Sequence, residues 1–251
     1  QTLVCDAEIL SAEWSLQEPN ERTHQLCDAA FRQPDSLLLQ ARLAMLENQM
    51  PKAEQLLRQT IASNNKSMES FTLLSTIYLS TQRPLDAELV LRQAIQFQPG
   101  YWPALQSIAV FYLQQGQMPQ AIDYFRKVVE LTPQNASTLT NLGSAYLLSG
   151  DLQSAADIYH QAVKIDPIPM VQTNLATVYY YLGRYQDALT LYQAAVRTEP
   201  SNYTYHGNLA DAYRMLQQHA DAKFHYEKAI RLLEPKKPSG ILLAELAKYQ
   251  F

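Results

Sequence analysis

A tyrosine returns at Tyr78, Tyr112, Tyr146, Tyr179 and Tyr213, at intervals of 34, 34, 33 and 34 residues. This fixed period constrains the fold more than any other feature of the chain. A unit of this size cannot bury its own apolar face and must stack on its neighbours. Other positions carry the same period. Three residues before each tyrosine stands a small residue, Ser75, Ala109, Gly143, Ala176 or Ala210, preceded in turn by Leu74, Ile108, Leu142, Leu175 or Leu209. Alanine recurs at Ala53, Ala87, Ala121, Ala155, Ala188 and Ala222, and four residues after each comes Leu57, Leu91, Phe125, Tyr159, Tyr192 or Tyr226. Prolines close the units at Pro99, Pro133, Pro167, Pro200 and Pro235.

The residue types fit helix pairs. Apolar residues at i, i+3, i+4 and i+7 make one buried helical stripe, and the stretch from Ala136 to Pro167 holds two such helices of about a dozen residues each. Small residues let the two helices approach closely, and the large Leu, Tyr or Phe fills the space beside them. The closing proline cannot continue the helix it follows. Gly116, Gly150 and Gly183 each lie five residues before the next alanine and supply the backbone freedom of a tight helix–helix turn. The spacing predicts an all-α chain of stacked antiparallel helix pairs.

This pattern resembles the tetratricopeptide repeat (TPR), over about residues 34 to 236. The resemblance implies a right-handed superhelical solenoid and a protein that binds proteins or peptides. In that frame residues 1–34 read as a degenerate first helix pair and residues 35–236 as six TPR-like repeats. Residues 237–251 read as a C-terminal capping helix or a truncated eighth repeat. The second pair departs from the pattern with Ala44 at its tyrosine position, and Pro51 opens its second helix. The sixth is one residue short, with the deletion in the turn at Pro167-Ile168-Pro169. The runs Thr173-Asn174-Leu175-Ala176 and Asn208-Leu209-Ala210-Asp211-Ala212-Tyr213-Arg214 resemble the repeat segments of bacterial sensor-type regulators. That gives a second reading, a sensory module of a larger signalling protein whose kinase, cyclase or winged-helix output domain lies outside this chain.

Charge narrows the partner class. The formal net charge is -4 and charged residues make up 18% of the chain, too little positive charge for a nucleic-acid surface. No apolar run reaches the roughly 18 residues that a membrane span needs, so direct membrane insertion is not expected. The chain begins at Gln1, with no initiator methionine and no signal-peptide pattern, and reads as a processed form or a piece of something longer. Cys5 and Cys27 are the only cysteines and fall on the two helices of the first pair. They read either as a disulfide, which would point to an oxidising compartment such as the bacterial periplasm, or as two buried thiols behaving as small hydrophobes.

Catalytic and cofactor signatures are missing. The 7 glycines form no phosphate-binding loop or dinucleotide fingerprint. No metal-ligand spacing occurs; His219 and His225, six residues apart, do not share one helical face and read as surface histidines. No cofactor, metal or catalytic activity is expected. Asn65-Lys66-Ser67, Asn135-Ala136-Ser137 and Asn202-Tyr203-Thr204 match the glycosylation acceptor pattern.

The TPR resemblance places a ligand groove on the first helix of each pair. Its candidate residues are Asn141, Asn174, Thr177, Tyr180, Asn208, Asp211 and Arg214. Thr72, Thr76, Gln106, Val110, Leu113, Gln114, Thr140, Ser144, Leu147 and Thr173 complete the row. This surface is almost uncharged. One subgroup of the family binds acidic chaperone tails through Lys, Arg and Asn, and here Ser, Thr, Gln or Met replace the cations. The asparagines read as structural, or as hydrogen-bonding partners of a peptide backbone. The expected function is a non-enzymatic protein–protein interaction scaffold that holds a protein or peptide segment in the groove.

Overall fold

The computed structural model describes residues 2–15, 19, 21–31, 36–63 and 67–233, and these contain helices and turns and no strand. The expected helix after Pro235 lies outside the described residues, as does most of the Asn65-Lys66-Ser67 motif. The chain divides into two compact units, Gln1–Gln115 and Gly116–Phe251. The first holds α1 (Thr2–Ser15), α2 (Glu21–Phe31), α3 (Leu37–Leu46), α4 (Met50–Ala62), α5 (Met68–Ser80), α6 (Pro84–Phe97) and α7 (Trp102–Gln114). The second holds α8 (Met118–Leu131), α9 (Ala136–Ser149), α10 (Leu152–Ile165), α11 (Pro169–Tyr181), α12 (Tyr185–Thr198), α13 (Tyr203–Met215) and α14 (His219–Leu233).

The period is written into the cores of both units. Ala53, Ala87, Ala121, Ala155 and Ala188 are completely buried, and Ala222 nearly so. The large residues one turn later, Leu57, Leu91, Phe125, Tyr159, Tyr192 and Tyr226, are buried too. The connections that follow α3, α5, α7, α9, α11 and α13 each hold a residue of positive φ two positions before the next helix. These residues are Asn48, Gln82, Gly116, Gly150, Gly183 and Gln217, with φ between 58° and 85°. Only three of the six are glycine, although a side chain in this region costs about 1–2 kcal/mol. Gln82→Gly is therefore expected to raise stability by about 0.5–1 kcal/mol, after allowance for the greater freedom of glycine in the unfolded chain. Thermal unfolding checks this, and an unchanged or lower midpoint would contradict it.

Helix starts follow from local chemistry. Proline occupies the first turn of α4, α6, α7, α8 and α11, where its missing N–H is not needed. Asn135 caps α9, its side chain accepting from the N–H groups of Ser137 at 3.0 Å and Thr138 at 3.3 Å. Asn202 caps α13 in the same way through Thr204 and Tyr205. Both belong to the glycosylation-like motifs, so N-capping accounts for their presence. The short repeat is explained by the connection into α11, which holds only residues 166–168.

The recurring tyrosine has a dual role. At Tyr112, Tyr146 and Tyr213 the ring packs against the core while the hydroxyl reaches the second helix of the preceding pair. Tyr112 accepts from Arg92 and donates to Glu88, both at 2.6 Å. Arg126 donates to Tyr146 at 2.7 Å, and Gln193 to Tyr213 at 2.9 Å. Tyr78 and Tyr179 instead lie beneath the guanidinium groups of Arg83 and Arg184, 4.3 and 4.0 Å from the ring centres.

At the N-terminal end, Cys5, Ile9, Cys27, Ala30, Leu39 and Leu43 cluster among the described residues. The two cysteine sulfurs are within bonding distance, with the Cα atoms 4.7 Å apart. Arg42, almost buried on α3, reaches back to Asp6 on α1 at 2.5 Å.

Candidate functional site

All seven groove candidates lie in the second unit, on α9, α11 and α13, the first helices of its three complete pairs. They fall into equivalent rows. Asn141, Asn174 and Asn208 form one row, Ser144, Thr177 and Asp211 the next, and Leu147, Tyr180 and Arg214 the third.

The middle row is tied to the fold. Ser144 shares a hydrogen bond with the Tyr159 hydroxyl at 2.8 Å, and Thr177 with that of Tyr192 at 2.9 Å. In the last pair a carboxylate takes the same place, and Tyr226 donates to Asp211 at 2.5 Å. Arg214 donates to the Tyr226 hydroxyl at 3.3 Å and lies 3.6 Å from Asp211. Each bond joins the first helix of a pair to its second at a constant offset of 15 residues. Burial pushes the hydroxyl pKa of all three tyrosines upward, and the Asp211 carboxylate adds to this at Tyr226, so each is a neutral hydroxyl at physiological pH.

The asparagine row is different. Asn141, Asn174 and Asn208 are half-buried, and none of their amides has a side-chain hydrogen bond among the described residues. Tyr180, also half-buried, sits edge-on to Tyr181 and Tyr185, with ring centres 6.0 and 5.4 Å away. Tyr181 is exposed. The charges in these rows are Asp211 and Arg214, which neutralise each other.

Other expected groove positions are placed differently. Thr140 and Thr173 are buried, with hydroxyls donating to the carbonyls of Ala136 and Met170 on their own helices. In the first unit, Thr72 and Thr76 bond back to Glu69 and Thr72, Gln106, Val110 and Leu113 are half-buried, and Gln114 is exposed. The hydroxyl role of Tyr159, Tyr192 and Tyr226 was not part of the sequence reading. Its signal was the same 15-residue offset to a hydroxyl or carboxylate residue. No group of three His, Cys, Asp or Glu side chains converges on a metal-sized site among the described residues. No helix among them is long and apolar enough to cross a membrane.

Antiparallel helix pairs of near-constant length, joined by matching turns and polar ties, define a helical-repeat protein. Two family models, both described as tetratricopeptide repeat, match residues 103–168 and 173–235. The chain belongs to the tetratricopeptide repeat family. Among solved structures, it is similar to MamA (residues 41 to the end) from Desulfovibrio magneticus RS-1, with a TM-score of 0.63 and 20% identity over 68% of this chain and 97% of that one. A tetratricopeptide repeat protein from Parabacteroides merdae ATCC 43184 gives a TM-score of 0.65 and 15% identity over 86% and 97% of the two chains. YrrB, described as a TPR protein with an unusual peptide-binding site, gives 0.61 and 16% over 76% and 97%. No curated protein matches the chain.

Proposed function

We propose that the chain is a non-enzymatic protein-interaction scaffold that holds a protein or peptide segment across α9, α11 and α13. One observation carries this reading: among the described residues, the half-buried amides of Asn141, Asn174 and Asn208 have no side-chain hydrogen bond, while the hydroxyl and carboxylate groups three residues on are all bonded to tyrosines. An amide offers both donors and an acceptor, which suits the N–H and C=O groups of a peptide backbone. These amides are open to water in the free chain, and a peptide backbone can take the place of that water. Tyr180 adds a rigid amphipathic surface of the kind that anchors interfaces. The description of YrrB as having a peptide-binding site agrees with a peptide ligand on this fold.

Selection from a displayed peptide library on the intact chain supplies a ligand for the test. Asn174→Ala combined with Tyr180→Ala is expected to weaken its binding by about 2–3 kcal/mol, roughly 30- to 150-fold. Helical content and melting temperature should stay nearly unchanged. Because the rows carry so little charge, affinity should change little between about 50 mM and 500 mM salt. Normal binding by the double variant would overturn the proposal. Collapse of binding with salt would also overturn it and move the site to the charged outer faces.

A further inference from the structure

The last helix pair contains two histidines in direct contact. His206 on α13 is 4% exposed. Its Nε2 lies 3.1 Å from the carbonyl oxygen of Pro200, and its Nδ1 lies 2.9 Å from Nδ1 of His225 on α14. The rings are stacked 5.1 Å apart at 23°, and His225 also stacks on Tyr213 at 5.5 Å and 12°.

These distances fix the protons of the neutral pair. A carbonyl only accepts, so His206 carries its proton on Nε2 and presents a lone pair at Nδ1. His225 must then carry its proton on Nδ1 and donate it to His206. The one ring lone pair left over is Nε2 of His225. A first added proton goes there and leaves the contact intact, as an imidazolium donating to a neutral imidazole. A second has to go to Nδ1 of His206. Two N–H donors and two positive charges then face each other across 2.9 Å, and the bond cannot survive.

We propose that the His206–His225 pair is an acid-sensitive latch that holds α14 against α13 and opens when the pair takes up its second proton. The surrounding charges bias each ring. On α14, Lys228 disfavours charge on His206, whereas Asp221 favours it on His225. On the α12 side stand the Pro200 carbonyl, Glu199, which accepts from Asn202, and the neutral Gln193 bonded to Tyr213. Burial holds both imidazoles below their ordinary pKa, and at His225 the neighbouring His206 lowers it further. The unfolded chain therefore takes up protons first as pH falls below about 6.5. Latch stability is complete above that pH and is lost as pH falls through the lower folded-state values. The pair shares its two helices with Asp211 and Tyr226, so opening also withdraws the Tyr226 hydroxyl from the proposed peptide-binding row. Only this last consequence rests on the groove reading.

Peptide-resolved hydrogen exchange on the intact, ligand-free chain tests the latch, at about pH 7.5 and about pH 5, the latter still above the ordinary carboxylate range. After correction for intrinsic rates, protection of α13 and α14 is expected to fall at least tenfold at the lower pH, with α9 and α10 little changed. His225→Asn replaces the titrating ring with a neutral amide that can donate to His206 or, once His206 is protonated, turn to accept from it, and should abolish the difference. Equal protection at both pH values, a uniform fall across all helices, or the same fall in the variant would overturn the latch. If the variant does not fold, imidazole nitrogen NMR of the natural chain decides. Two titration steps, both below about 6.5, are expected, and independent titration at ordinary values would overturn the proposal. Because no peptide is present, failure of the groove reading leaves this outcome unaffected.

Discussion

Tyr159→Ala is expected to lower the stability of the protein by about 3–5 kcal/mol, as for other large aromatic truncations in a core. Tyr159→Phe should cost only about 1 kcal/mol, the usual net value of one hydrogen bond. Tyr159 is the largest fully buried side chain described, at 1% exposure. Its ring lies directly on the α9 backbone: a Cβ added at Gly143 would come within 2.9 Å of its Cδ1 and Cε1 atoms. The equivalent positions, Ala176 and Ala210, keep their methyl groups. With helix backbone forming one wall, the space left by the ring cannot collapse, which places Tyr159→Ala toward the costly end. The phenylalanine variant leaves the ring in place, and the Ser144 hydroxyl still donates to the Thr140 carbonyl at 2.9 Å. Urea unfolding of the three proteins measures both numbers through the midpoint at constant slope. Equal losses for the two variants, or a loss below about 1 kcal/mol for Tyr159→Ala, would show that the site repacks.

The helix pairs were legible because close helix contact restricts residue size at fixed intervals. The alanines from Ala53 to Ala222 and the large residues after them are where that restriction acts, and all are buried. The turns were only half legible. Glycine marked Gly116, Gly150 and Gly183, but Asn48, Gln82 and Gln217 adopt the same backbone without the residue type that signals it. Side-chain partnership was the least legible. Helical period alone put Thr140 in the same face as Asn141, yet one is buried and self-bonded and the other is half-buried, with no side-chain hydrogen bond among the described residues. Whether an amide is bonded depends on the facing helix, and the local pattern carries no record of it. The histidines show the same limit. Spacing within one helix paired His225 with His219 and gave a surface reading, whereas the contact that exists crosses the hairpin to His206, 19 residues away.

Loss of the covalent link between Cys5 and Cys27 is expected to destabilise the first helix pair by about 3 kcal/mol, the chain-entropy value for a closed loop of this length. The cysteines are separated by 22 residues and belong to different helices, α1 and α2. Among the described residues, the core they share also includes Ile9, Ala30, Leu39 and Leu43. A covalent tie between two helices restricts the unfolded segment and so favours the folded pair. A polar tie from α1 to α3 is the Asp6–Arg42 pair, whose carboxylate is 39% exposed and therefore partly screened. Reduction should consequently raise hydrogen exchange in α1 and α2 well before it affects α9 to α12, and Cys27→Ser should reproduce the effect without a reductant. Thiol titration of the unfolded, unreduced protein should find no free thiol, and two after reduction. Two free thiols in material recovered from an oxidising compartment would end the disulfide reading. The periplasmic lean would go with it, because the buried cysteines would then be packing groups compatible with any compartment.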